Sequence, residues 1–191
     1  MEKKHLLFAA ALLVLLSCNN SSKDSVEKAD STNQAIKDSA ISNNKPVLED
    51  AGSSFLVRVA DAGMAEERIT SIAKQKAVYL PVKEFATKLN KDHSSFISQV
   101  KILANQKKVV LPQSISEETQ QGIDILRKSE GKELDKTFIN MMISRHQSSI
   151  EMFEKAVQEI ADFDIKTFAE KTLPILKSDL EVVKSFQKKY Q

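Results

Sequence analysis

The sequence predicts an all-α fold, an antiparallel four-helix bundle with a short crossover helix between its second and third long helices. Three observations carry this. From Phe55 to Phe186 apolar residues recur at steps of three and four, the spacing that keeps side chains on one face of a helix, and nowhere do they alternate as in a strand. Prolines and short polar stretches separate the stripes, with Pro174 as the exception. The chain has four glycines and a single cysteine, so no disulfide staples it and its stability must come from packed helices.

The first segment is a signal. A charged opening, Met1-Glu2-Lys3-Lys4-His5, precedes the 11-residue apolar run Leu6 to Leu16, which is well short of the ~20 residues that span a bilayer. Leu15-Leu16-Ser17-Cys18 places an aliphatic residue three before the cysteine and a small one just before it, as cleavage by a lipoprotein signal peptidase requires. Residues 1–17 are therefore expected to be removed. Cys18 would then carry a diacylglycerol on its sulfur and a further acyl chain, such as palmitate, on its new amino group. At about 0.8 kcal/mol per buried methylene, several such chains anchor firmly. The membrane is thus the expected partner, through the N-terminal lipid. Asn19 in place of an aspartate favours the outer membrane of a bacterial envelope, facing periplasm or surface.

Residues 18–54 read as a disordered tether. They are rich in Ser, Asn, Lys, Asp and Ala, and the weak helical tendency of Val26 to Ala40 has no apolar stripe behind it. As a flexible coil, such a tether would hold the domain roughly 30 to 35 Å from the lipid.

Residues 55–191 form the helical domain. Phe55, Val59, Ala62, Glu66, Ile69, Ala73 and Ala77 share one face of a first long helix. Pro81 suits the first turn of a second, whose stripe is Phe85, Leu89, His93, Phe96, Val100 and Leu103, and which stops at Lys107-Lys108. Pro112 breaks the run, and Ser114-Ile115-Ser116-Glu117 has the spacing of a capping box, opening a crossover helix that ends near Gly131. A third long helix from about Leu134 or Asp135 carries Phe138, Met142, His146, Ser149, Phe153, Val157 and Ile160 inward. After a turn at Asp162 and Asp164, a fourth runs through Ile165, Ala169, Thr172, Leu176, Asp179, Val183 and Phe186, with a kink or break expected at Pro174.

Composition narrows the function. A formal charge of +2, no tryptophan and no glycine-rich phosphate loop argue against nucleic acid as a partner. Cys18 leaves no thiol nucleophile, and there is no Gly-x-Ser-x-Gly turn, so hydrolytic catalysis has little support.

What remains is the set of polar residues on the apolar stripes. Glu66, His93, His146 and Asp179 occupy core-facing positions, one on each long helix, near the helix midpoints and so at a common depth. Two readings follow. In one, the four residues hold a single divalent metal ion, with donors suited to zinc, iron or manganese. In the other, they form a buried polar layer that fixes helix register without a metal. Glu67 and Asp92 stand one step off the stripes and could replace or orient the named residues. Met142 lies one turn before His146, with Met141 and Met152 nearby; thioether and imidazole together suit copper, although core packing also explains such a methionine. The large Phe and Met side chains around both histidines leave no room for a haem.

The order and spacing of Phe85-Ala86, Asp92-His93, Leu111-Pro112, Leu134-Asp135 with Phe138, Met142 and His146, Phe168-Ala169 and Thr172-Leu173-Pro174 resemble the bacterial domain-of-unknown-function family DUF4142. The resemblance spans Phe55 to about Phe186. It implies a ferritin-like four-helix bundle in exported or lipid-anchored envelope proteins, with no established activity. Members commonly carry a histidine a few residues after the last Leu-Pro, where this chain has Asp179. Asn90 and Ile143 stand three residues before the two histidines, so the Glu-x-x-His pairs of di-iron ferritins are absent. The expected function is that of an envelope binding or structural module, with metal binding linked to envelope stress or metal handling as the alternative.

Overall fold

In the computed structural model of the chain, which describes residues 24–190, all regular structure is helical: α1 (Ser25–Ser42), α2 (Asp50–Lys76), α3 (Leu80–Lys107), α4 (Glu117–Lys128), α5 (Gly131–Glu159) and α6 (Phe163–Tyr190). The signal peptide and Cys18 lie outside the described residues. None of the described helices is long and apolar enough to cross a membrane.

Two hairpins make the core. α2 and α3 run antiparallel, with Glu66 beside His93 and Lys74 Nζ donating to Asn90 Oδ1 at 2.6 Å. α5 and α6 pair likewise, with Lys177 2.6 Å from Glu154 and Gln187 Nε2 donating to Asn140 Oδ1 at 3.2 Å. The hairpins meet mainly along α2 and α5, whereas α3 and α6 touch much less. Gly63 lets α3 come close, since a Cβ there would stand 3.2 Å from Ile97 Cγ1 and 3.4 Å from Phe96 Cε1.

The buried apolar side chains fall into two groups. One gathers Ile69, Phe85, Leu89, Phe138, Met142 and Val183 with residues of α4; the other gathers Phe55, Val59, Val100, Phe153, Ile165 and Ala169. On α3, α5 and α6 the boundary between them falls around His93, His146 and Asp179.

Local signals explain most boundaries. Pro81 sits in the first turn of α3, and Lys108 closes that helix in a left-handed conformation at φ 57°. The turn between α2 and α3 is fastened by Asp135 of α5, fully buried, whose carboxylate accepts from the Val78 N–H at 3.1 Å and the Tyr79 N–H at 2.9 Å. Asp162 caps α6, accepting from the N–H groups of Asp164 and Ile165, both at 3.1 Å.

Five sequence expectations need correction. Residues 24–54 are not a disordered tether: α1 occupies most of them, and α2 starts at Asp50 rather than Phe55. α1 buries little apolar surface and is held by hydrogen bonds instead. Asn33 donates to the Val110 carbonyl at 2.9 Å and accepts from its N–H at 2.7 Å, while Ser25 Oγ accepts from the N–H groups of Gln113 and Ser114. The cap of α4 is Ser116, bonded to the Thr119 N–H, and not Ser114. Gly131, with φ +55°, opens α5 and does not end α4. α6 continues through Pro174 without a break; Pro174 and Glu170, whose carbonyl loses its helical partner, both lie on the exposed side, where solvent is at hand.

Candidate functional site

Between the two hairpins lies a cavity of about 250 Å³, bounded by all four long helices. Its wall includes Glu66, His93, His146 and Asp179, together with Asp92, Met152, Phe96, Phe153 and Leu176. Asp92, Ser95 and Gln99 of α3 and Ile175 of α6 line it while remaining exposed, so its mouth opens along the sparse α3–α6 seam.

The four stripe residues share this wall, but only two of them touch. His93 Nε2 lies 3.0 Å from Glu66 Oε2. The contact is within hydrogen-bond distance, and the other carboxylate oxygen, Glu66 Oε1, is buried without a hydrogen-bond partner. Glu66 is 4% exposed. Burial alone would raise its pKa; the neighbouring His93, His146 and Arg145 outweigh that and hold it down at about 2.

His146, 1% exposed, meets the Met142 carbonyl through Nδ1 at 3.0 Å. A carbonyl oxygen only accepts, so Nδ1 carries a proton and points away from the cavity's carboxylates. Asp179 is held apart by Lys88, whose Nζ lies 3.3 Å from Asp179 Oδ1 and 3.0 Å from Asp92 Oδ2. Burial works against the Lys88 charge, but these two carboxylates raise its pKa. Among the described residues no three His, Cys, Asp or Glu side chains converge closely enough to hold a metal ion as they stand.

Of the three supporting candidates, Asp92 reaches the cavity rim. Glu67 does not: its side chain is exposed, and its carbonyl accepts from Asn90 Nδ2 at 3.1 Å. Met142 is fully buried among apolar residues and contributes its carbonyl, while the thioether on the cavity wall belongs to Met152. Asn90 also donates to Thr70 Oγ1 and accepts from Lys74, tying α3 to α2 one turn from the Glu66–His93 contact.

Two residues were not anticipated. Arg145 Nε stands 3.9 Å from Glu66 Oε1, and one of its terminal nitrogens donates to the Ala62 carbonyl at 3.2 Å. Lys88 is the other. Arg145 lies one residue from His146 and Lys88 four residues before Asp92, so both stood beside marked positions.

A family model for the domain of unknown function DUF4142 matches residues 37–186. No curated protein matches the chain. Among solved structures, the fold is similar to a DUF305 fragment from Deinococcus radiodurans, with a TM-score of 0.67 at 11% identity over 75% of this chain and 99% of that one. It is also similar to CopM in its Cu(I)-bound form, with a TM-score of 0.63 at 16% identity over 73% and 96%, and in its Cu(II)-bound form, with 0.64 at 17% over 73% and 97%. At these identities the likeness concerns the fold.

Proposed function

We propose, from the premise that the chain belongs to the DUF4142 family and that its helices enclose a His/carboxylate cavity, that it is a lipid-anchored, extracytoplasmic metal-binding protein. In this reading the two hairpins are the halves of a ferritin-like antiparallel four-helix bundle, and the cavity is its ligand site. Glu66 and His93 would supply the first two donors. His146 and Asp179, on the same wall, would complete the set once Lys88 yields Asp179.

The observation that carries the reading is the Glu66–His93 pair. Two donors bound to one tetrahedral ion at 2.0–2.1 Å stand roughly 3.3 Å apart. Nε2 and Oε2 are already 3.0 Å apart, and Glu66 Oε1 is buried with no hydrogen-bond partner. The His146 Nδ1 bond to a backbone carbonyl is the kind of contact that orients an imidazole ligand. A bound ion would supply concentrated positive charge to two buried carboxylates. CopM, a protein of similar fold, is bound to copper, and its likeness supports copper beside zinc, iron and manganese as ions to test.

The anchor completes the reading. Cys18 precedes Asp24, where the docked part begins, by six residues, a span of at most about 20 Å. The domain would therefore sit close to the leaflet.

A second reading, a metal-free layer that holds helix register, is favoured by Arg145, which already places positive charge 3.9 Å from Glu66. One experiment separates them. The full chain with Cys18→Ser is equilibrated with each of the four ions in excess and then desalted. Metal binding predicts about one ion per chain and a raised melting temperature, both lost in Glu66→Gln and in His93→Gln. Under about 0.2 ion per chain for every metal, or full occupancy retained by both variants, contradicts the proposal and leaves the metal-free layer.

A further inference from the structure

The mouth of the cavity lies on the seam between α3 and α6, framed by aromatic contacts. Phe96 meets Phe168 and Phe85 meets Phe186, each pair with ring centroids 5.6 Å apart, and on α6 the lining residues Thr172 to Asp179 fall between Phe168 and Phe186. Within that frame an ion pair crosses the seam: Lys88 Nζ of α3 donates to Asp179 Oδ1 of α6 at 3.3 Å. We propose that Lys88 is a charge latch across the mouth, which slows the uptake of a metal ion and competes with it for Asp179. This role presupposes the metal-binding cavity proposed above and adds a control on that same site.

Lys88 acts on two of the cavity's carboxylates at once. Its Nζ also lies 3.0 Å from Asp92 Oδ2, and both Asp92 and Asp179 line the cavity. The third carboxylate of the wall, Glu66, pairs with His93 instead. An ion approaching the Glu66–His93 pair through the mouth therefore meets the ammonium first, and it gains Asp179 as a donor only when Lys88 lets go.

The latch opens without moving a helix. The Lys88 side chain is 56% exposed and carries its charge on a flexible four-carbon stem, whereas the Asp179 side chain is 11% exposed and largely enclosed by the wall. Asp92 stands one turn after Lys88 on the same helix, so an ammonium that leaves Asp179 keeps a partner at i+4. A divalent ion brings two charges to the carboxylate against the one it displaces, which favours the exchange once the ion has entered.

The test uses the full chain with Cys18→Ser, freed of metal by a chelator. Zinc, iron(II), manganese or copper ions are added in the presence of a metallochromic indicator, which reads both the rate of uptake and the affinity. Lys88→Met keeps the aliphatic stem and removes the charge. It should take up the ion about five-fold or more faster than the parent and hold it more tightly. Lys88→Arg retains a cation at the mouth and should restore slow uptake. Lys88 is exposed, so neither change disturbs the packed core. A lysine that served only to join the helices would, on removal, lower the melting temperature without speeding uptake. Unchanged or slower uptake in Lys88→Met, unchanged or weaker binding, or fast uptake shared by Lys88→Arg overturns the latch and leaves the metal site standing. No ion bound by the parent or by either variant overturns the metal site and the latch together.

Discussion

Glu66 keeps its charge at the centre of the molecule because three cationic or ionisable side chains surround it, and that has a direct consequence for acid stability. Its pKa is about 2 in the folded state against an ordinary 4.5. Between those values the unfolded chain binds the extra proton, so the contribution is complete above about pH 4.5 and is lost as pH falls toward 2. Urea denaturation across pH 6 to 2 should show this loss in the wild type, and Glu66→Gln should flatten it; an unchanged pH slope in the variant would contradict the electrostatic account. Asp135 acts differently, fastening a turn instead of holding a layer. Asp135→Ala leaves the Val78 and Tyr79 N–H groups without their acceptor and should lower unfolding free energy by roughly 3 kcal/mol, read from chemical denaturation. The inward positions of Glu66, His146 and Asp179 were legible from periodicity alone. Arg145 and Lys88 were not, because periodicity reports the direction of a Cα–Cβ bond, while a long cationic side chain reaches into a buried layer from the edge of its stripe.

At the scale of elements, the long helices were legible and α1 was not. α2, α3, α5 and α6 each bury an apolar stripe, which is a local signal, whereas α1 buries only Ala29 and Asn33. What holds it is the paired bond from Asn33 to Val110, 77 residues away in sequence. Contacts of that range leave no periodic trace. Asn33→Ala should therefore loosen α1 selectively, increasing hydrogen exchange across Ser25–Ser42 while α5 stays protected; equal exchange in both proteins would show that α1 is held by something else. Asp162 carries a heavier task than its turn position suggested. Besides capping α6 it lies 2.7 Å from Lys107, so it joins the start of α6 to the end of α3. Burial opposes its charge, yet Lys107 and the capped N–H groups keep its pKa lowered. Asp162→Ala should cost about 1 to 2 kcal/mol, measured as a shift in the denaturation midpoint.

At the scale of the whole molecule, two apolar halves are separated by one polar layer with a cavity beside it. The depth of that layer could be read from the sequence because helices of similar length with short links bring their midpoints level. The packing that leaves the α3–α6 seam open could not, since it depends on how closely α2 and α5 meet. The proposed anchor bears on this scale too: with α1 docked, Cys18 precedes the helical domain by six residues in place of a long tether. The central claim is that Glu66 and His93 face each other to share an ion. Crystals of the metal-loaded full chain carrying Cys18→Ser, measured at the absorption edge of the bound element, test it most directly. The account predicts one anomalous peak in the cavity, about 2.0 to 2.2 Å from His93 Nε2 and a Glu66 oxygen. A cavity without a peak, or a peak bound only by surface residues, would contradict it.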